Sequence, residues 1–409
     1  MSSVTYGRGG LPSKGAACYL KYGMTTSSVS RRSVLLSSAA AAATAAQTTA
    51  PVRVAFVGTG HRTWAHIPVV KRIPGFQIVA LADPTPDFRD KAATLVGSQP
   101  ALYSDYRKML AERKDIDAVV VVTPDSLHAE VVVAALGLGL HVLCEKPMAT
   151  SIEDANRMIA AQKKAGKILQ IGHQLRFRGV TSKMAELVRG GQIGEVKFVT
   201  AYLHRGDWNP ASWKAPDPKT GAPTVWRFLR QYMGTSLLED GVHQLDILQW
   251  VIHSPIKRVS AVGGNAVFKN RETIDHAAVT VEYASGTLLH FGFCLLAGGV
   301  RKEETLIGGT AGHLSTENGK ITLRNHATGK TQTFDTSVRA AAPTGAVNPA
   351  AVTEIGAEEA QFHAFLNSVR TGAPPLVDAE AGKDAILIPI MAQKSIDERR
   401  PVLRSEFPA

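Results

Sequence analysis

The chain has 409 residues, enough for two domains with separate cores, and its 44% hydrophobic and 20% charged residues are typical of a globular protein. Its formal charge of +11 is unevenly spread, because the first fifty residues hold five basic residues and no acidic one. The rest of the chain carries +6 without a long basic run, which argues against a nucleic-acid partner.

The first fifty residues have the pattern of an export leader. Twin arginines occur in SRRSVLL, Ser30 to Leu36, and an alanine-rich stretch follows as far as Ala46. The apolar part is 13 residues long, too short to span a bilayer. We predict a leader and short linker over residues 1–50 and a periplasmic or otherwise exported protein. A disordered tail is the alternative, and the protein would then be cytoplasmic.

Strand and helix patterns alternate over residues 51–174. Short, mostly apolar runs predict strands at 52–57, 77–82, 118–122, 141–144 and 168–171, and the run at 118–122 is wholly apolar. Helical patterns occupy the intervals, at 66–73, 91–96, 106–112, 126–138 and 151–165. Strands buried on both faces and separated by helices predict a doubly wound parallel sheet, so we expect a Rossmann-type dinucleotide-binding domain here.

The pattern changes over residues 175–409. A helix at 180–189, a strand at 195–202 and a loop at 204–234 lead to a helix at 236–251. Alternating residues then predict strands at 257–266, 276–283, 287–294, 304–308 and 320–324, and two helices close the chain at 357–369 and 378–398. We expect a C-terminal α/β domain for substrate binding and oligomerisation, with a large, mostly antiparallel, meander-like open sheet. Its open face favours a homo-dimer or homo-tetramer.

A glycine pair follows the first predicted strand. Gly58 and Gly60 would let the backbone approach a pyrophosphate at a helix N-terminus, although Thr63 replaces the third glycine of the usual pattern. Asp83 lies 25 residues after Gly58, at the end of the second strand. A carboxylate there can accept both ribose hydroxyls and would repel a 2′-phosphate, so NAD is favoured over NADP. A helix cap before Pro84 is the alternative for Asp83.

Glu145, Lys146 and Pro147 follow a strand that ends at Cys144. Ligands of parallel α/β sheets bind beyond the carboxyl ends of the strands, where a lysine and an acid are useful. Proline at such a point is typical of a tight, sometimes cis, turn. The alternative is a surface ion pair before an ordinary turn.

Glu239, His243 and Asp246 are spaced to share one face of a helix. A histidine one turn from a carboxylate is a plausible proton relay. The same face could bind a metal, but neither a cysteine nor a second spaced histidine joins it, so we expect no metal. Simple pairing of polar residues is the third possibility.

The 204–234 loop is rich in tryptophan and arginine. It carries Arg205, Trp208, Trp213, Trp226 and Arg227. Indole rings stack on sugars and guanidinium groups bind hydroxyls or carboxylates, but core or interface aromatics would give the same composition.

Taken together, these strings resemble the Gfo/Idh/MocA family of NAD(P)-dependent oxidoreductases over about residues 52–402. The matching strings are VRVAFVGTG, VALAD, VVVVTPDSLHAEVVVAAL, HVLCEKPMA, ILQIGHQLRF, GGQIGEV and LLEDGVHQLDILQW. The resemblance implies a nucleotide-binding domain followed by an α/β domain whose sheet builds dimers or tetramers. Glu239 stands where the family most often has Asp.

The resemblance also implies site residues. Lys146 would be the catalytic lysine and His243 the catalytic histidine, with Glu239 beside them; Asp246 would be structural. The implied cofactor-binding positions are Gly58, Gly60, His61, Arg62, Asp83, Thr123, Pro124, His128, Glu145, Lys146, Gln174 and Arg176. The implied substrate-binding positions are Arg205, Trp208, Trp226 and Asp240.

The expected function is hydride transfer between a nicotinamide cofactor and a hydroxyl or carbonyl group of a sugar or polyol. An exported enzyme would lack a free nicotinamide pool, which suggests a captive cofactor. A glycoside hydrolase or lyase that forms a transient keto-sugar and recycles its NAD is therefore an alternative. A non-catalytic sugar or nucleotide sensor of the same fold is a third hypothesis, disfavoured by the presence of Lys146 and His243.

Overall fold

The structure is a computed structural model that describes residues 50–206, 214–217, 220–336 and 356–408. Its first sheet has six parallel strands, namely β1 Val52–Val57, β2 Phe76–Ala82, β3 Ala101–Tyr103, β4 Ala118–Val121, β5 His141–Glu145 and β6 Leu169–Gly172. Their spatial order is β3-β2-β1-β4-β5-β6. The order reverses between β1 and β4, and such a switch point opens a crevice at the carboxyl ends of the two strands.

Five helices connect these strands, and their limits follow local capping. They are α1 His61–Lys71, α2 Pro86–Val96, α3 Tyr106–Glu112, α4 His128–Gly137 and α5 Ile152–Ala165. Ser151 caps α5 by accepting a hydrogen bond from the Asp154 amide at 3.1 Å. Helix α1 begins five residues before the predicted start, directly after Gly60, because its first turn has no apolar periodicity to mark it.

The second sheet has nine strands. They are β7 Val196–Gly206, β10 Ile256–Gly264, β11 His276–Tyr283, β12 Leu288–Cys294, β13 Leu296–Gly309, β14 Gly312–Glu317, β15 Lys320–Asn325, β16 Thr331–Asp335 and β17 Val402–Leu403. A separate ribbon pairs β8 Ala215–Pro216 with β9 Pro223–Thr224. The order in the large sheet is β16-β15-β14-β13-β7-β12-β11-β10-β17. The predicted combination of a Rossmann-type sheet with a large, mostly antiparallel sheet is thus confirmed.

The large sheet is not the simple meander that was predicted. Strand β7 lies between β12 and β13, and it runs parallel to β12. Strand β7 comes before both of its neighbours in the chain by more than eighty residues, so no local turn pattern indicates this pairing. Strands β14, β16 and β17 were also missed, because they are short and partly polar.

The large sheet has one covered and one open face. On its inner face it packs against α8 Val242–Ile252 and α10 Ala379–Glu398; α6 Gly179–Arg189 lies beside α8. The outer face exposes large apolar side chains on neighbouring strands. Phe198 pairs in register with Leu288, and Leu306 lies opposite the next outward residue of β7, Thr200.

Helix α9, Gly356–Thr371, belongs to the C-terminal part of the sequence but packs on the first sheet. Its Phe362, Phe365 and Leu366 share a core with Val54 and Phe56 of β1. An aromatic contact at 5.1 Å between ring centroids also joins Phe362 to His66 of α1. The return of the chain to the first sheet brings a C-terminal helix next to the crevice. Within the described residues, no helix combines the length and apolarity needed to cross a bilayer.

Candidate active site

A cavity of about 910 Å³ opens at the carboxyl edge of the first sheet. One side is lined by the segments that follow β1, β2, β4 and β5. The other side is lined by Leu203 and Arg205 of β7, by the turn Trp226–Phe228 and by the segment that precedes α8. The cavity therefore joins the predicted nucleotide-binding elements to the predicted substrate-binding loop.

The glycine turn after β1 has the geometry that dinucleotide binding requires. Gly58 has φ +88°, and a Cβ there would lie 2.6 Å from the Val122 carbonyl carbon. Thr63, at the position of the missing third glycine, donates a hydrogen bond from Oγ1 to the Gly58 carbonyl at 2.7 Å. Gly60 begins α1 without a side-chain cap, and the first turn has no acid. The helix N-terminus can therefore accept an anionic phosphate, and Gly60, His61 and Arg62 line the cavity there.

Asp83 lines the cavity at the end of β2. Its two carboxylate oxygens accept hydrogen bonds from the Thr59 amide at 2.7 Å and from the Thr85 amide at 2.8 Å. Burial raises the pKa of this carboxyl. Arg89 donates to the Asp83 main-chain carbonyl, a contact that the sequence analysis missed because the arginine lies six residues on. These hydrogen bonds hold the Asp83 carboxylate at the position where it could bind ribose hydroxyls.

Lys146 lies at the centre of the cavity wall. Its Nζ donates to both the Oε2 and the main-chain carbonyl of Glu239, each at 2.8 Å. The other carboxylate oxygen of Glu239 lies 2.5 Å from Arg227. Burial alone would raise the pKa of Glu239, but Arg227 and Lys146 lower it. A buried carboxylate thus orients the lysine amine.

Glu239 and Asp240 lie in a π-helical turn, Leu237–Gly241, that continues into α8. Such turns contain an extra residue and are frequent at functional sites. Here two consecutive carboxylates reach the cavity, since Asp240 pairs with Arg205 at 2.8 Å while Glu239 pairs with Lys146. The prediction of one regular helix over 236–251 was wrong at this turn.

The predicted Glu239, His243 and Asp246 face is divided between two environments. Glu239 and His243 line the cavity, whereas Asp246 is buried against Arg176, whose NH2 donates to it at 2.6 Å. Arg176 does not line the cavity, because its side chain is only 4% exposed and is bound to Asp246, so its contact with the cofactor stays a prediction. Gln174, two residues earlier, does line the cavity.

His243 is suited to proton transfer. Its Nδ1 has no hydrogen-bond partner among the described residues. Burial, followed by the charge of Lys146, lowers the pKa of His243 well below its usual value. These effects keep the imidazole neutral, and its unpartnered Nδ1 leaves it able to take part in a proton relay.

Glu145 connects helix α1 to the main chain of Lys146. Its Oε1 accepts hydrogen bonds from Arg62 at 2.9 Å and contacts His66 at 2.8 Å, and its Oε2 accepts one from the Lys146 amide at 3.0 Å. Glu358 of α9 also lies 2.6 Å from His66. Burial would raise the pKa of Glu145, but Arg62 and His66 hold it well below its usual range. Glu145 lines the cavity while it anchors the main chain of Lys146.

His128 lines the cavity and holds two neighbouring loops together. Its Nδ1 lies 2.8 Å from the Pro147 carbonyl and its Nε2 lies 3.1 Å from the Thr123 carbonyl. Thr123 and Pro124 line the cavity, and the Lys146–Pro147 peptide is cis. His128 thus links two cavity-lining loops and also lines the cavity itself, and its contact with nicotinamide stays a prediction.

The substrate-side residues are only partly described. Arg205, Trp226 and Asp240 line the cavity, and Arg227 lies over the Trp226 ring, 5.1 Å from its centroid. Trp208 falls outside the described residues. Sequence reasoning missed Asp125, which lines the cavity directly after Thr123 and Pro124 and is only 4% exposed. Its position in the string TPDSLH was the available signal.

Comparisons with known proteins agree with this arrangement. The family model described as "Oxidoreductase family, NAD-binding Rossmann fold" matches residues 52–173. Its C-terminal alpha/beta domain model matches residues 185–403. The myo-inositol 2-dehydrogenase of Thermotoga maritima is 25% identical over 87% of this chain and 99% of its own length.

Two further relatives extend the comparison. The 2,7-anhydro-N-acetylneuraminate hydratase of Mediterraneibacter gnavus is 29% identical, over 52% of this chain and only 53% of that protein. An aldose–aldose oxidoreductase from Caulobacter crescentus, solved with glycerol, shares the fold with a TM-score of 0.70 at 23% identity, covering 86% of this chain and 99% of that one. The C-terminal model alone spans more than half of the sequence, so the chain belongs to the Gfo/Idh/MocA oxidoreductase family, with an NAD-binding Rossmann domain.

Proposed function

We propose that this protein is an NAD-dependent oxidoreductase that transfers hydride between its cofactor and a hydroxyl-bearing carbon of a sugar or polyol. The observation that carries the proposal is the Lys146 amine, held by Glu239 at 2.8 Å in a cavity shared by both sheets. The names of a relative that covers most of this chain, a myo-inositol 2-dehydrogenase, and of an aldose–aldose oxidoreductase support it.

The residues would divide the work between binding and proton transfer. Gly58, the first turn of α1 and Asp83 would hold the dinucleotide. When bound, nicotinamide supplies the acceptor or donor of hydride. In the oxidative direction Lys146 would take the hydroxyl proton as the hydride leaves carbon, and neutral His243 could relay that proton to solvent.

Turnover with NAD⁺ and a panel of sugars and polyols tests this proposal. We expect NAD⁺, whether added or retained in the site, to be reduced to NADH by at least one cyclic polyol or aldose, and a substrate deuterated at the oxidised carbon to transfer its label. The proposal would be contradicted if protein that binds NAD transferred no hydride in either direction. That test includes hydroxylated substrates and the corresponding keto compounds.

A redox-neutral reaction is the second candidate, because one relative bears the name of a hydratase. In that case substrate would be converted with NAD bound but without net NADH. The same assay separates the two candidates if product formation is compared with NADH formation.

We propose export by the twin-arginine route, on the pattern Ser30–Leu36, with the cofactor retained in the site. Protein purified from about Ala46 onward should then release NAD(H) on denaturation, near one mole per mole of chain, when measured by mass spectrometry. Cofactor-free protein would instead indicate exchange with a cellular pool and would contradict retention.

We also propose a homo-dimer or homo-tetramer through the outer face of the nine-stranded sheet. Phe198, Leu288 and Leu306 are exposed there by 50%, 39% and 47%, on neighbouring strands. Light scattering should give a multiple of the 43.7 kDa chain. The double variant Phe198→Glu, Leu306→Glu should give the mass of a single chain. A single-chain mass for the wild-type protein would contradict the proposal.

A further inference from the structure

Asp125 is a buried acid of the cavity that the proposed mechanism does not use. It begins a short 3₁₀ turn, Asp125–Leu127, directly after Thr123 and Pro124 at the carboxyl end of β4. The residue is only 4% exposed, and it lines the same cavity as Lys146. Its Oδ2 is buried without a hydrogen-bond partner among the described residues.

The charged groups that face Asp125 come from three neighbouring segments. They are Glu239 of the π-helical turn, Glu145 and Lys146 after β5, and Arg227 of the turn Trp226–Phe228. Helix α7, Arg230–Met233, also packs against the turn Asp125–Leu127. The charged residue of this helix, Arg230, pairs at the surface with Asp397 at 2.5 Å.

The contacts of Glu239 decide which acid carries a charge. One oxygen of Glu239 pairs with Lys146 at 2.8 Å, and the other pairs with Arg227 at 2.5 Å. Asp125 makes no such ion pair with any described residue, and its Oδ2 has no hydrogen-bond partner among them. Burial, and then the charge of Glu239, raise the pKa of the Asp125 carboxyl well above its usual range. A neutral carboxyl has one O–H donor, and buried neutral acids can use it to bind an oxygen on which charge develops.

We propose that Asp125 is a further catalytic residue, which donates a hydrogen bond from its carboxyl group to the oxygen on the reacting carbon of the substrate. Lys146 would contact the same oxygen and take its proton in the oxidative direction. Asp125 would keep its own proton and stabilise the negative charge that develops on that oxygen. This inference rests on the proposed oxidoreductase function.

Two substitutions at Asp125 separate a hydrogen-bond donor from an ionised acid. Asp125→Asn keeps a neutral donor, so kcat should stay within about fivefold of wild type. Asp125→Ala removes the donor, and kcat should fall about 10²-fold with unchanged NAD affinity. Wild type should also lose kcat at alkaline pH as Asp125 ionises, and this step should be missing from the pH profile of Asp125→Asn.

Asp90→Asn, an exposed position on α2, is the matched control and should behave as wild type. Equal loss in Asp125→Asn and Asp125→Ala, or a loss confined to NAD binding, would overturn the inference. Infrared difference spectra of wild type against Asp125→Asn provide a readout without turnover. They should show one protonated carboxyl near pH 7 in wild type that shifts when glycerol or a polyol binds, and its absence would also refute the role. If the proposed oxidoreductase function itself were wrong, the result would be different, because wild type and Asp90→Asn would then transfer no hydride.

Discussion

Replacing Lys146 by alanine should lower kcat by about 10³-fold, within the range of 10² to 10⁴ expected for loss of a general acid–base group. The reason is positional: Nζ is the amine that Glu239 holds at 2.8 Å in the cavity. NAD affinity should change little, because Gly58 and Asp83 make the expected cofactor contacts. Steady-state turnover and NAD titration of the same preparation measure the two effects separately.

Lys146→Arg distinguishes proton transfer from simple charge pairing. Arginine can replace the ion pair with Glu239 but stays protonated, so it should be nearly as inactive as alanine. Lys108→Ala, at a position 68% exposed on its side chain, is a matched control and should keep wild-type turnover. If Lys146→Arg restored activity, the lysine would be an electrostatic or structural residue, and the proposed proton transfer would be wrong.

Most of the first sheet could be predicted from the sequence because most of its strands have a recognisable local pattern of apolar residues. Val52–Val57 is an apolar run interrupted only by Arg53 and followed by Gly58, and its predicted limits agree with β1. Strand β3 has only three residues and gives no comparable signal. The parallel pairing of β7 with β12 depends on contacts between residues about ninety positions apart, which local patterns do not encode.

The same distinction applies to the cavity. Lys146 and Asp83 were found because each follows a recognisable strand at the edge where parallel sheets bind ligands. Arg176 was predicted beside the cofactor because sequence cannot show that its guanidinium is bound by Asp246, seventy residues away. The π-helical turn was missed for a related reason: helical periodicity does not reveal one extra residue, although that residue brings both Glu239 and Asp240 to the cavity.

Gly58→Ala should both destabilise the protein and weaken NAD binding. Alanine is strained at φ +88°, and its Cβ would lie 2.6 Å from the Val122 carbonyl carbon and 2.8 Å from the Thr123 amide. The turns after β1 and β4 would have to separate. We expect the free energy of unfolding to fall by about 2 kcal/mol or more, and NAD affinity to fall at least about tenfold.

Gly60→Ala is the matched comparison, because its φ is −74° and a Cβ there would meet only the Phe88 ring, at 3.8 Å. Its stability in chemical denaturation should therefore equal that of wild type, whatever happens to NAD binding. If Gly58→Ala were as stable as Gly60→Ala, the close approach of β1 and β4 would not constrain the turn. If Gly58→Ala were unstable yet bound NAD normally, the turn would be needed for packing and not for the cofactor.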